Sequence, residues 1–203
     1  MEKFYYFLIL GILISIGCSK NEEDNEPTFN LATPDNIDIL EYKAYNALFS
    51  MFDTDTLIFA QKTLISGPKV IQGAYSSLTA YNENFDTTIV TDFIEKNDSA
   101  YNLDKKLLKI GSKYIILISS DEINYYFGGK DKNESWSKFT RKYSKDYYYN
   151  LSRVGFNKEK DQVLLEYTVD SPYSEPEATS VMHYLILNGN KWERKYNVTL
   201  SYD

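Results

Sequence analysis

Apolar side chains recur at every second position in the last third of the chain. Val163, Leu165, Tyr167 and Val169 form one face of Gln162–Val169. Tyr196, Val198 and Leu200 alternate with Asn197, Thr199 and Ser201 further on. A period of two with one polar face restricts such segments to half-covered strands. Four successive strands follow: Tyr148–Phe156, Gln162–Val169, Thr179–Leu187 and Trp192–Tyr202. Asn188-Gly189-Asn190 is a tight hairpin signal, Asn157–Asp161 another short turn, and Asp170–Glu177 a longer exposed loop. Short links between consecutive strands make an antiparallel meander.

The chain before the meander carries helical spacing. Thr33-Pro34 reads as a helix start, with Thr as N-cap and Pro in the first turn. Leu40, Ala44, Ala47, Leu48 and Met51 then share a stripe, so a helix is expected to about Phe52. Leu57–Ile65 reads as a strand. Val70–Asn84 shows no clean period and reads as irregular. Asp86 is a candidate cap for a second helix bearing Ile89, Val90, Phe93 and Ile94. Tyr114–Ser119 is a strand, and Gly128-Gly129 opens a loop. Asn133 is a candidate cap for a short helix with Trp136, Phe139 and Tyr143 on one side. The fold class is α+β: N-terminal helices packed on one face of an antiparallel sheet with a C-terminal four-strand meander. The 19 tyrosines favour the same class, because aromatic rings pack well on pleated surfaces.

The N-terminus is of another kind. Lys3 precedes an apolar run, Phe4–Gly17, that is shorter than the roughly 20 residues of a comfortable membrane span. A short basic start, an apolar stretch and a small residue make a secretory signal. Cys18, the single cysteine, follows at once. Ser15-Ile16-Gly17-Cys18 resembles the lipobox of bacterial lipoproteins, with Ser15 where Leu is usual. The resemblance implies an acylated Cys18 as the new N-terminus and the lipid bilayer as a partner. A cleaved signal with a stray Cys and an uncleaved N-terminal helix are the alternatives. Lys20, Glu22, Glu23 and Asp24 follow, and look like the export signal that sends Bacteroidota lipoproteins to the outer face of the outer membrane. A solvated acidic linker, with the domain facing the periplasm, is the plainer reading. The chain thus divides into a signal peptide (1–17), an acidic flexible tether (18–36) and a single domain (37–203).

Loss of Glu2 and Lys3 together leaves the net charge of −7 unchanged. An acidic chain without a basic stripe is a poor nucleic-acid binder. With Cys18 lipidated no disulfide is available, so the domain rests on its apolar core.

Trp136-x-x-Phe139-x-x-x-Tyr143, Leu151-Ser152-Arg153-Val154-Gly155-Phe156-Asn157 and Asp161-Gln162-Val163-Leu164-Leu165-Glu166-Tyr167 together resemble a group of bacterial exported proteins and lipoproteins. A later glycine and tryptophan fit Gly189 and Trp192. The chain departs at Ser144, where the group has Pro, and at Glu166, where it has an apolar residue. The group's frequent Gly- or Cys-rich hairpin is missing from Ser171–Thr179. The resemblance implies one compact module and brings no function with it. Read physically, Trp136, Phe139 and Tyr143 dock a helix on the sheet. Leu151 and Phe156 fall on opposite faces of a regular strand, unless Gly155 marks a bulge. Arg153 is a candidate ion-pair former, with Glu166 as its partner.

Catalytic signals are sparse. His183 is the single histidine and lies in a strand on the side of Val181, Leu185 and Leu187. One histidine and no free thiol leave no His- or Cys-based metal site, and the G-x-S-x-G elbow of serine hydrolases is missing. No metal or other cofactor is expected. Asp53-Thr54-Asp55 lacks the remainder of a calcium loop. Asp121 and Glu122 follow a strand end, and with Glu166 could form a glycosidase-like acid/base pair; solvated loop charges are the plain alternative. Tyr125, Tyr126, Tyr147 and Tyr149 are candidate ligand-facing aromatics, with core packing as the alternative. Asp55-Thr56-Leu57, Asp86-Thr87-Thr88 and Asp98-Ser99-Ala100 resemble a Bacteroidota O-glycosylation acceptor, which makes Thr56, Thr87 and Ser99 candidate sites.

The functional expectation is a membrane-anchored exported lipoprotein that binds a glycan, peptide or protein at the cell surface without catalysis. A carboxylate-dependent hydrolase is the alternative from another class. A cystatin- or NTF2-like inhibitory or structural module is a third reading; it requires the helix ending near Phe52 to lie across the meander.

Overall fold

The structure is a computed structural model and describes residues 26–66, 68–81, 84–129, 131–173 and 180–200. Cys18, Lys20, Glu22, Glu23 and Asp24 lie outside them. The described chain is α+β, with helices and two strands leading into the meander. The order is α1 (Ile39–Ser50), β1 (Thr56–Ala60), α2 (Pro68–Tyr81), α3 (Thr88–Lys96), β2 (Tyr114–Ile118), α4 (Ser120–Phe127), α5 (Lys132–Tyr143), β3 (Tyr148–Leu151), β4 (Gly155–Phe156), β5 (Gln162–Asp170), β6 (Ser180–Asn188) and β7 (Lys191–Leu200). No described helix is long and apolar enough to cross a membrane.

The strands form one sheet in the order β2-β1-β3-β5-β6-β7, with the short β4 also on β5. The C-terminal half is antiparallel as expected. The N-terminal half corrects the all-antiparallel reading, because β1 runs parallel to both β2 and β3. Parallel neighbours need long crossovers. The pairs α2–α3 and α4–α5 provide them.

Helices also cover both faces of the sheet rather than one. Leu57, Phe59, Val163 and Leu165 face α1, beneath Tyr45, Leu48 and Phe49. Ile58 and Ala60, of opposite parity, face Tyr126, Trp136 and Phe139 of α4 and α5. Leu164, Met182 and Leu200 face Ile71, Leu78, Ile89 and Phe93 of α2 and α3. The reason is visible in β1 and β5, whose central residues are apolar on both sides.

Local chemistry moves several element ends. The first helix begins at Ile39, not near Pro34, because Asp38 caps it by accepting from the Leu40 N–H at 3.0 Å. Asp35 instead accepts from the Asn102 N–H at 2.6 Å. Val70–Asn84 is mostly helix: Ile71, Ala74 and Leu78 are buried at helical spacing, diluted in sequence by serines and threonines. Pro68 starts that helix. Ser119 caps an unexpected helix through Asp121, Glu122, Tyr125 and Tyr126, accepting from the Glu122 N–H at 3.2 Å. Asp131 rather than Asn133 caps α5, accepting from the Asn133 and Glu134 N–H groups. Ser144 ends α5 at φ 54, a left-handed cap closed to proline.

The strand expected over Tyr148–Phe156 breaks at Ser152–Val154. That break puts Leu151, Val154 and Phe156 in the same α1-side core. A bulge in β7, opposite Tyr184 and Leu185, acts likewise: Trp192 joins the α1-side core, whereas Tyr196, Val198 and Leu200 face α2. Gly189 turns the final hairpin at φ 62.

Residues 26–36, read as tether, carry no helix or strand but are fastened to the domain. Gln61 donates to the Ala32 carbonyl at 2.7 Å and accepts from the Ala32 N–H at 2.8 Å. Phe29 packs on Tyr125 with ring centroids 5.2 Å apart. Glu26 accepts from the Tyr126 hydroxyl at 3.0 Å. The packed domain therefore begins at least at Glu26, not at 37.

Candidate functional site

The break between β3 and β4 gathers polar partners from several elements around one short run. Tyr45 donates its hydroxyl to the Ser152 carbonyl at 2.6 Å. Ser152 Oγ accepts from the Glu166 N–H at 2.8 Å. Asn97 Oδ1 accepts from the Arg153 N–H at 2.7 Å, and its Nδ2 donates to the Arg153 carbonyl. Asp92 accepts from the Phe156 N–H at 2.6 Å. Gly155 lies so close to α3 that a Cβ there would meet Phe93 Cβ at 2.5 Å and the Ile89 carbonyl oxygen at 2.8 Å. Only glycine permits that approach.

Arg153 is buried at this junction and corrects the expected pairing. Its partner is Glu41, not Glu166. Nε donates to Oε2 at 2.8 Å and Nη2 to Oε1 at 2.6 Å. Glu41, which is fully buried, also accepts from the Val154 N–H at 3.0 Å. The guanidinium stacks 4.3 Å from the Tyr101 ring centroid. Burial opposes the Arg153 charge, but the Glu41 carboxylate raises its pKa on balance. The sequence does carry a trace of the pair. Glu41, Tyr45, Leu48 and Phe52 share one helical stripe, so Glu41 is a charge at a core position.

Above this junction opens a cleft of about 960 Å³, walled by α1, α3 and the turn after β4. Its carboxylates are Asp38, Glu41, Asp92 and Glu95, and its cations Lys96, Arg153, Lys158 and Lys160. The cleft has balanced charge within an acidic chain. Lys96 lies 4.7 Å over the Phe156 ring and pairs with Asp92 at 2.8 Å. The Leu40 N–H, with Lys160 beside it, lowers the pKa of Asp38. Asn157 orders the turn by accepting from the Asp161 and Gln162 N–H groups. The cleft can offer donors and acceptors of both charges to a polar partner.

The candidate carboxylates lie on two elements, α4 and β5. Asp121 is exposed in the first turn of α4. Glu122 is buried against α5, accepting from Lys142 Nζ at 2.7 Å and from the Tyr143 hydroxyl. Glu166 is buried in β5 and accepts from Ser66 Oγ at 2.5 Å. Glu122 and Glu166 are thus held by separate partners on separate elements, α4 and β5.

The four candidate aromatics are likewise dispersed. Tyr126 and Tyr149 are buried in cores on opposite faces of the sheet, and Tyr147 is half-buried against Tyr149. Tyr125 is exposed. Two of the four are therefore packing residues, as cross-strand and helix-face aromatics usually are. Trp136, Phe139 and Tyr143 do dock α5 on the sheet, and Trp192 packs near Phe156. Thr87 and Ser99 are exposed, while Thr56 is half-buried at the start of β1. Asp53 and Asp55 sit in an exposed turn, and among the described residues no group of acidic, His or Cys side chains is placed to hold a metal.

His183 is buried and stacks on Tyr167, with 5.3 Å between centroids and 18° between planes. Neither ring nitrogen has a hydrogen-bond partner among the described residues. Burial, with Arg194 adding to it, lowers its pKa to about 4.

Comparison of the chain with protein-family models, curated proteins and solved structures finds no match.

Proposed function

We propose that the chain is an exported lipoprotein, anchored in the outer membrane through acylated Cys18, whose domain binds a partner in the cleft beside Arg153. The cleft is the observation that carries the binding reading. It is open, balanced in charge, and floored by an ion pair whose geometry is fixed from three elements. A fixed floor under rims of both charges suits recognition of a peptide or protein segment bearing both charges. The apolar run ending at Cys18 supports the anchor, and Lys20–Asp24 support display on the cell exterior. The resemblance to exported lipoproteins adds to both.

Two experiments test this. Wild type and Cys18→Ala are compared by intact mass, membrane partition and protease treatment of intact cells. Acylation and membrane binding in wild type alone establish the anchor, and cleavage by external protease establishes surface display. Protection would place the partner in the periplasm. Peptide and glycan arrays are then probed with wild type and with Glu95→Lys/Lys158→Glu. Binding by wild type that the rim variant loses supports the cleft, and equal binding by both removes it.

A further inference from the structure

The binding of residues 26–36 to the domain has a geometric consequence that rests on the lipid-anchored reading. Cys18 and Glu26 are eight positions apart, so even a fully extended backbone spans at most about 28 Å between them. Glu26 is held where α4 meets α5, by the Tyr126 hydroxyl at 3.0 Å and Lys142 at 3.4 Å. The anchored acyl chains must therefore lie within that reach of this end of the molecule.

The surface there carries aromatic rings and long basic side chains beside the acidic first turns of α4 and α5. Tyr125 is 45% exposed. It packs against Phe29, and Lys142 lies 5.5 Å over the Phe29 ring. Lys138, paired with Glu134 at 2.8 Å, and Arg141 also lie on α5. Aromatic rings beside long basic side chains settle at headgroup level, with the rings among the acyl-chain ends and the amines toward phosphate. We infer that the α4–α5 end, with Tyr125, Phe29 and Lys138, rests on the phospholipid headgroups of the membrane that holds Cys18. The segment 26–36 then runs from the membrane-side end to Asn36 at the rim of the cleft, so the cleft is presented at the end of the strap away from the lipid.

The unmodified acylated protein tests this in vesicles of phosphatidylcholine and phosphatidylglycerol. Lys138 and Lys195 have side chains exposed to nearly the same degree, 43% and 41%. The α4–α5 layer covers β1, β2 and β3, whereas Lys195 lies on β7 at the opposite sheet edge. A water-soluble acetylating reagent should modify the two at similar rates in detergent. In vesicles, Lys138 should fall roughly threefold or more behind Lys195. Independently, Tyr125→Trp emission should be quenched by lipids brominated on the acyl chain. An unchanged acetylation ratio together with unquenched Trp emission overturns the orientation. If intact mass shows no acyl group on Cys18, the anchor itself fails. If the acyl group is present and both signals are flat, only the resting surface fails.

Discussion

At the scale of single residues, the interior holds two kinds of buried polar group, and they answer to different perturbations. Glu41 and Arg153 satisfy each other, so removal of one leaves the other charged and unpaired in a low dielectric. Glu41→Ala should cost about 3–5 kcal/mol by chemical denaturation. Replacing both with apolar residues of similar size should recover most of that loss, because no stranded charge remains. His183 is the other kind: buried and, among the described residues, without a hydrogen-bond partner. Its folded pKa near 4 lies below the unfolded value of 6.5. The unfolded chain therefore takes up the proton first as pH falls. The contribution to stability is complete above pH 6.5 and lost progressively down to about pH 4. The loss is on the order of 3 kcal/mol at the acid end. The melting temperature of wild type should drop over that window more steeply than that of His183→Leu; parallel curves would remove His183 as the cause.

At the scale of elements, α3 and β4 meet across Gly155 with no room for a side chain. Gly155→Ala must push the α3 backbone outward, because the blocking atoms include the Ile89 carbonyl and the Phe93 backbone. Such overpacking costs about 1–3 kcal/mol. It should also loosen the Asp92 bond to the Phe156 N–H, visible as faster amide exchange at Phe156. The element ends show what a sequence encodes locally. Ser119 and Glu122 have the spacing of a capping box, and Asp38 precedes a helical stripe, so both caps were legible in principle. The weak α2 pattern was not, because Gly73 and a run of small polar residues blur its apolar period. The expected strand over Tyr148–Phe156 was split by tertiary contacts: Ser152 and Arg153 bond to Tyr45, Asn97 and Glu41, each from elsewhere in the chain.

At the scale of the whole molecule, the strap from Glu26 to Asn36 links the α4–α5 end to the rim of the cleft. Gln61 is its central fastening, bonded to both polar groups of Ala32. Gln61→Ala removes both bonds, and because Ala32 is exposed and water can take their place, the cost should be about 1 kcal/mol. It should also speed proteolysis between Pro27 and Leu31 while leaving the core intact; an unchanged digestion rate would show that the other contacts suffice to hold the strap.

The sequence by itself determined the α+β class, the alternating faces of β5 and the position of Cys18 after an apolar run. These rest on local periodicity and covalent order, which a chain carries wherever its parts end up. Tertiary structure alone decided that Arg153 pairs with Glu41, 112 positions away, and that β1 lies parallel between β2 and β3. It alone gave Glu122 and Glu166 separate partners and closed the strap onto Gln61. A periodic pattern marks which side chains leave water, but not which distant partner meets them. That choice is fixed by how layers stack and by the need of each buried charge or amide to find its complement.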